Sequence, residues 1–404
     1  MPNFNLKITG RLVAGFAAIT ALLAIAVGYT SFTLSSVSKN VGLVAELRAP
    51  AAVMSTDLEG GIYSTLATLR GYLLTGNAQG KTERAAVWKK LDANAAEFDK
   101  LAERFTNPEN KRKWAEAKAL LNEFRAAQNK TEAMAFTPDA YPATKLLTDE
   151  AAPKVGTMFA EITNMINEEV GLEATVERKK FLKSMADARG NLAAAAAAIR
   201  MYLLSGTKKD QESFLKPWEN FGKAVAAVNA QKSLMTPSQK KSFDVFSKAQ
   251  AEFAPMPEKM FAIRQSPQWN MPVYLLATEA APRAGKILTL LAGPVQADGS
   301  RSGGLKSRQQ AVLKEDSTHA LNAISFLSIV EWVLLGAGIL GAVAITFFAA
   351  RSIATPVRNI TAVLNELTQD RIVDVPYTHR NDEIGDIAKA TEVFKQSVAE
   401  KITN

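Results

Sequence analysis

The chain has 404 residues, a hydrophobic fraction of 47% and a formal net charge of +8. It contains no cysteine, and its histidines are His319 and His379, far apart in sequence, which excludes disulfides and thiol catalysis and argues against a thiolate or histidine metal site. Ala, Leu, Lys and Glu dominate and strand-like alternation is scarce, so the predicted fold class is all-α.

Residues 1–11 form a short N-terminal segment carrying Lys7 and Arg11. No charge occurs between Arg11 and Lys39, and residues 12–34 are predicted to be a transmembrane helix. The run is too long for a cleaved leader and no small-x-small site follows it, so it is expected to be a retained anchor. A second span is predicted over 326–350; its uncharged stretch, Trp332 to Ala350, is 19 residues long, roughly 28 Å at about 1.5 Å per residue. Glu331 and Trp332 mark one interface and Arg351 the other. Lys7, Arg11, Arg351 and Arg358 flank the spans on one side, which points to cytoplasmic termini, a bacterial inner membrane and an exported segment over 35–325. The charge surplus lies in that segment, since the rest of the chain holds nine cations and nine acids. A mildly basic exported surface favours anionic ligands, and nothing in it suggests nucleic acid.

The exported segment contains one unit twice. RGYLLTG at Arg70–Gly76 recurs as RMYLLSG at Arg200–Gly206, and Trp88 recurs as Trp218, both at an offset of 130. Pro108 matches Pro237, Phe124 matches Phe253, and EAAP at Glu150–Pro153 matches Glu279–Pro282, all at 129. Copy one covers about 48–170 and copy two about 176–292, with a glycine-rich linker at 293–304. In copy one, breaks at Gly76, Asn107-Pro108 and Thr137-Pro138 divide four amphipathic helices; Gly206, Thr236-Pro237 and Ser266-Pro267 do the same in copy two. Each copy is therefore expected to close its own four-helix bundle. With the helix entering the second span there are nine segments, so strict reversal would end on the wrong side. Either Gly171–Thr175 passes straight through and stacks the bundles, or 293–304 does not reverse and sets them side by side.

Arginine is the residue to examine for a ligand, because its fork of donors matches a carboxylate in two places. Arg70 and Arg200 occupy equivalent apolar surroundings, and Arg48, Arg189, Arg264 and Arg283 are further candidates. Arg189 and Arg264 have no arginine at the matched position of the other copy. A small anionic or organic-acid ligand is expected. No nucleophile motif, phosphate loop or paired-carboxylate pattern occurs, so neither enzymatic activity nor a cofactor is expected.

After Arg351, Ile353, Val357, Ile360, Leu364 and Leu367 step by the spacing of a coiled-coil seam. Pro356 lies in the first turn of that helix. Asp382, Glu383, Ile384 and Gly385 open a second helix, in which Ile387, Thr391, Phe394 and Val398 extend the seam. Residues 351–404 resemble a HAMP domain, the two-helix relay inside the membrane of bacterial receptors, whose DEIG signature these four residues match. That resemblance implies a parallel homodimeric coiled coil and a relay role for Pro356, Asp382, Glu383, Ile384 and Gly385. The family commonly has glycine early in its connector, where this sequence has Thr368-Gln369-Asp370-Arg371.

The whole layout is similar to bacterial methyl-accepting chemotaxis receptors and sensor kinases, and RGYLLTG and RMYLLSG are similar to the helix-end motif of four-helix-bundle, CHASE-type and helical bimodular sensors. The resemblance implies membrane-anchored tandem bundles feeding a HAMP coiled coil, embedded in membrane lipid. The sequence shows no methylation helices, phosphorylatable histidine motif or nucleotide site. Output is thus expected from a continuation or from a chemotaxis or kinase partner, and the sensory half of a histidine kinase or a non-signalling helical scaffold are the alternatives.

Overall fold

The computed structural model describes residues 7–403; residues 1–6 of the segment expected to be cytoplasmic lie outside them. Among the described residues every regular element is helical, and β-type pairing is limited to the isolated bridge between Val295 and Arg301. They are α1 Ile8–Leu43, α2 Ala49–Thr75, α3 Gln79–Glu103, α4 Pro108–Met134, α5 Pro142–Leu146, α6 Ala152–Val170, α7 Val176–Ser205, α8 Lys208–Ala230, α9 Pro237–Phe253, α10 Met256–Gln265, α11 Met271–Leu275, α12 Ala281–Leu291, α13 Leu305–Ala349, α14 Thr355–Leu367 and α15 Glu383–Thr403. They fall into two units: Val53–Arg308, and the flanking segments 7–52 with 309–403.

The unit Val53–Arg308 begins and ends its helices where local chemistry dictates. Gly76 and Gly206 sit at φ 69° and 68°, the left-handed conformation that a helix end takes at no steric cost only with glycine. Asn107 and Thr236 cap α4 and α9 through their side chains, each followed by proline at the first helical position, where no N–H is needed. Behind these caps the apolar stripes meet. Phe181, Phe214, Phe221, Phe246 and Phe253 are fully buried in one core with Met158, Ile162 and Met165.

That core corrects the expectation that each copy closes its own bundle. Met158, Ile162 and Met165 lie on α6, the fourth helix of copy one, yet they pack among the first three helices of copy two. Conversely α11 and α12, the fourth helix of copy two, pack against α4 of copy one. The first bundle is α2, α3, α4 and α11–α12; the second is α5–α6, α7, α8 and α9–α10. The two copies have exchanged their last helices.

Two lines of chain cross from one bundle to the other, antiparallel throughout. As one ascends through Glu123, Lys130, Tyr141, Lys154 and Glu169, its partners descend through Arg283, Glu279, Trp269, Glu252 and Gln239. The chain therefore runs straight on at 135–141 and at 266–270, through short turns at Pro138–Ala140 and Pro267–Trp269. The bundles are stacked, but not through Gly171–Thr175. That segment reverses the chain: Thr175 caps α7, and Arg178 reaches back to Glu169 at 3.0 Å. The 293–304 linker is an outward excursion closed at its base. A Cβ on Gly304 would lie 2.3 Å from the Gly293 nitrogen, and α13 then continues the line of α12 past Glu59 and Glu109, which pair with Lys306 and Arg308.

Four π-helical turns interrupt the helices, and each ends two residues before a proline: Val44–Arg48 before Pro50, Leu147–Ala151 before Pro153, Leu276–Ala280 before Pro282, and Ala350–Ala354 before Pro356. A proline ring clashes with the carbonyl four residues back and offers no N–H to it; one extra residue in the turn moves that carbonyl aside.

In the other unit, α1 and the 309–349 part of α13 are an antiparallel pair. Gly15 faces Ile345, Thr30 donates to Glu331 at 3.3 Å, and Arg48 pairs with Asp316 at 3.1 Å. Each carries an apolar stretch long enough to cross a membrane, and no other part of the described chain buries it. Beyond α13, helices α14 and α15 share a small core of Ile360, Val375, Ile384 and Ala388. Between them Asp370 takes φ 57°, a left-handed conformation that aspartate adopts more readily than most side chains, in the stretch where the resembled family commonly has glycine.

Candidate functional site

The arginines singled out in the sequence do not converge. Arg70 is exposed on α2; Arg200 is exposed on α7 and returns to its own helix, donating to the Ala196 carbonyl at 3.0 Å. Both reach water, which resolves the cost of a cation in an apolar stretch. Arg189 is exposed as well. Arg48 is buried against Asp316 in the other unit. Arg283 bonds the Glu279 carbonyl at 2.8 Å and pairs with Glu123, while the Glu279 carboxylate takes Lys130.

Arg264 is the most constrained of the set. Its Nε donates to the Leu203 carbonyl at 3.0 Å and its guanidinium lies 4.0 Å from the Trp269 ring. Gly206 requires glycine for its φ, and a Cβ there would meet the Arg264 guanidinium at 2.4 Å and push that side chain aside. At the matched turn of copy one, Gly76 is covered by Phe136 instead.

The first bundle holds a polar cluster whose charged and amide residues are not retained in copy two. Arg84 is 7% exposed and donates to Glu132 at 2.9 Å, Gln128 at 3.2 Å and Asn129 at 3.0 Å. Gln128, fully buried, also accepts from Trp88 Nε1 at 2.9 Å and donates to Thr65 at 3.2 Å. The counterparts of Thr65, Arg84, Gln128 and Glu132 in copy two are Ala195, Phe214, Pro257 and Phe261, all apolar. The signal was present in the repeat, as charges and amides in one copy facing carbon in the other.

Beside this cluster, between α3 and α4, lies a cleft of about 220 Å³ whose lining includes Trp88, Asp92, Asp99, Lys118 and Arg125. Asp99 accepts from Trp114 Nε1 at 2.7 Å and pairs with Lys118 at 2.6 Å. Arg125 pairs with Asp92 and stacks 4.3 Å over Trp88.

The relay candidates of the tail do meet. Asp382 is buried and receives Arg380 at 2.6 Å, Arg11 at 2.8 Å and the Gly385 N–H at 3.3 Å. The Arg380 hydrogen bonds, the Gly385 amide and the charges of Arg380 and Arg11 hold its carboxyl well below the usual carboxylate range against the opposing pull of burial. Glu383 accepts from the Ile8 backbone N–H at 2.8 Å, and Arg380 also donates to the Ser352 carbonyl at 3.2 Å. A Cβ on Gly385 would fall 2.0 Å from the Arg380 carbonyl oxygen. Ile384 fills the core beneath, and Pro356 is buried at the start of α14.

With this geometry in place, one comparison finds a likeness over the N-terminal part of the chain. Residues 5–175 match the family described as a four helix bundle sensory module for signal transduction, so the first span and copy one are similar to a sensing module of receptor type. The match ends where the chain reverses after α6, and so includes the helix that copy one has given away. No curated protein and no solved structure matches the chain.

Proposed function

We propose that this chain is the sensing and relay part of a bacterial receptor of the methyl-accepting chemotaxis type. In this reading residues 12–34 and 326–350 span the inner membrane, the stacked bundles are periplasmic, both ends are cytoplasmic, and 351–404 act as a HAMP relay. The similarity of 5–175 to a sensory module supports the input side. The observation that carries the relay is Asp382, which binds Arg11 at the start of the first span directly and Ser352 after the second span through Arg380. A shift of one span against the other must break or re-form these bonds, so α15 receives the difference between the two. A ligand drives that shift only by binding one arrangement better than the other. A small charged metabolite is the proposed input, an organic acid among the candidates because the exported segment is basic.

A homodimer belongs to the same reading. Val357, Ile387 and Phe394 occupy seam positions and remain exposed, while Ile360 and Ile384 are buried; two such helices need a second pair to close a four-helix core. The chain has no cysteine, so Val357→Cys in native membranes gives a clean cross-linking readout. Cross-links between copies, at a rate that changes when ligand is added, are expected, as is control of an attached chemotaxis output module. Absence of any cross-link from Val357→Cys and Ile387→Cys would remove the dimeric relay.

A further inference from the structure

We propose that the cleft between α3 and α4 of the first bundle is a ligand site, and that it takes a compact zwitterion, with one carboxylate and one ammonium group on a short aliphatic frame. This deepens the sensory reading, on which it rests for its purpose.

The chain supplies its own control, because the same helices occur in copy two. There Asp92, Asp99, Lys118 and Arg125 are replaced by Gly222, Asn229, Ser247 and Ala254, and no charge remains. Around Trp218, the mate of Trp88, the space is filled by Phe214, Phe221 and Phe253 at ring distances of 5.8, 5.1 and 5.3 Å. Where Phe214, Phe221 and Phe246 pack the second bundle, the first has Arg84, Leu91 and Ala117. Phe124 packs against Trp88 at 5.6 Å as Phe253 does against Trp218, so the difference lies at the other three positions: copy two fills them with phenylalanine, while copy one has a cleft there with two cations and two carboxylates around it.

The lining defines the occupant. At about 220 Å³ the cleft is smaller than the usual ligand pocket of about 300 Å³ or more, so it suits a compact molecule. The apolar part of the wall, Trp88, Leu91 and Leu121, suits a short aliphatic group. Arg125 Nε is buried without a hydrogen-bond partner, which leaves its guanidinium one bond short. A ligand carboxylate at Arg125 and Lys118 and an ammonium at Asp92 and Asp99 would open the two existing ion pairs and leave every charge paired again. A simple anion would face both aspartates, and a simple amine both cations; each leaves charges of the rim unmatched. Asp92 and Lys118 are more than half exposed, so the rim is reachable from solvent.

The test uses the full chain in lipid nanodiscs and titration calorimetry with glycine, L-alanine, L-valine and 4-aminobutanoate. Each is compared with the carboxylate lacking its amine and the amine lacking its carboxylate. At least one zwitterion is expected to bind saturably, with both truncated counterparts about tenfold weaker or worse. Arg125→Gln and, on the other ion pair, Asp99→Asn should each remove that binding while helical circular dichroism is unchanged. Equal binding of a deaminated acid, binding unaffected in Arg125→Gln, or no binding by any zwitterion in the panel would overturn the proposal. Zwitterion binding that persists with no Val357→Cys cross-link would leave this site standing and sink the relay; cross-linking without binding would do the reverse.

Discussion

Arg11 Nη2 donates to Asp382 Oδ2 at 2.8 Å, although 371 positions separate the two residues. Asp382→Asn should keep the shape of this contact and lose its charge. The Asp382 carboxyl is depressed in the folded state, so its stabilisation is complete above the unfolded aspartate value of about 3.9 and fades as pH falls below it. We expect Asp382→Asn to cost about 2 kcal/mol at neutral pH, the worth of hydrogen bonds to a charged group, with the difference from wild type shrinking below pH about 3.9. Thermal unfolding of the full chain across pH reads this; a gap that stays constant into strong acid would contradict it.

Gly385 and Gly190 should respond in opposite senses to alanine. At Gly385 the new Cβ meets the Arg380 carbonyl oxygen at 2.0 Å, and the connector must move, at a cost of about 3 kcal/mol. At Gly190, exposed on α7 with nothing within 4 Å, alanine should stabilise by about 0.5–1 kcal/mol through helix propensity. Paired melting curves decide; stabilisation at both positions would refute the close approach at Gly385.

Arg84→Met should destabilise the first bundle by about 3 kcal/mol, since it strands Gln128 and Glu132 around a buried site. Adding Gln128→Leu and Glu132→Leu removes the stranded groups but also the acceptor of Trp88 Nε1, so it should restore only part of that loss. Chemical denaturation of the single and triple variants separates the two effects. A triple variant weaker than Arg84→Met would mean the polar cluster is more than a set of paired groups.

Residues 47–175, expressed alone, should form a dimer. Within the full chain the two copies complete each other, with 135–141 running straight through; two molecules of copy one can repeat that exchange in trans. Light scattering after size exclusion gives the mass directly. A well-folded monomer would show instead that 135–141 can bend back and seat α6 on its own three helices.

Helix ends, the repeat and the tail were legible because each has a local cause: a glycine, an Asx or Thr cap before proline, a seam. The exchange of fourth helices was not. Val155, Met158 and Ile162 on α6 correspond at an offset of 129 to Ala284, Ile287 and Leu291 on α12, and all six are buried. Two apolar faces so alike fit either groove, and periodicity does not say which groove a face occupies. Asp370 departs from the connector pattern of the resembled family, and its left-handed backbone, which a side chain able to bond locally permits, carried no signal in the sequence. The candidate ligand site was hidden for a different reason. Arginines retained in both copies, such as Arg70 and Arg200, lie exposed, while the informative positions are those where the copies disagree, such as Arg125 and Ala254.

The exchanged helices also set an order of events as the chain is made. The second bundle has all its helices once residue 265 has emerged, whereas the first, whose α2 leads, waits for α12 to end at Leu291. Until then α2, α3 and α4 present an open apolar groove into which α6, the first suitable helix to arrive, could settle wrongly. Domains generally fold as they emerge, but here the part that starts first finishes last, and correct assembly depends on α7 and α8 capturing α6 before it folds back.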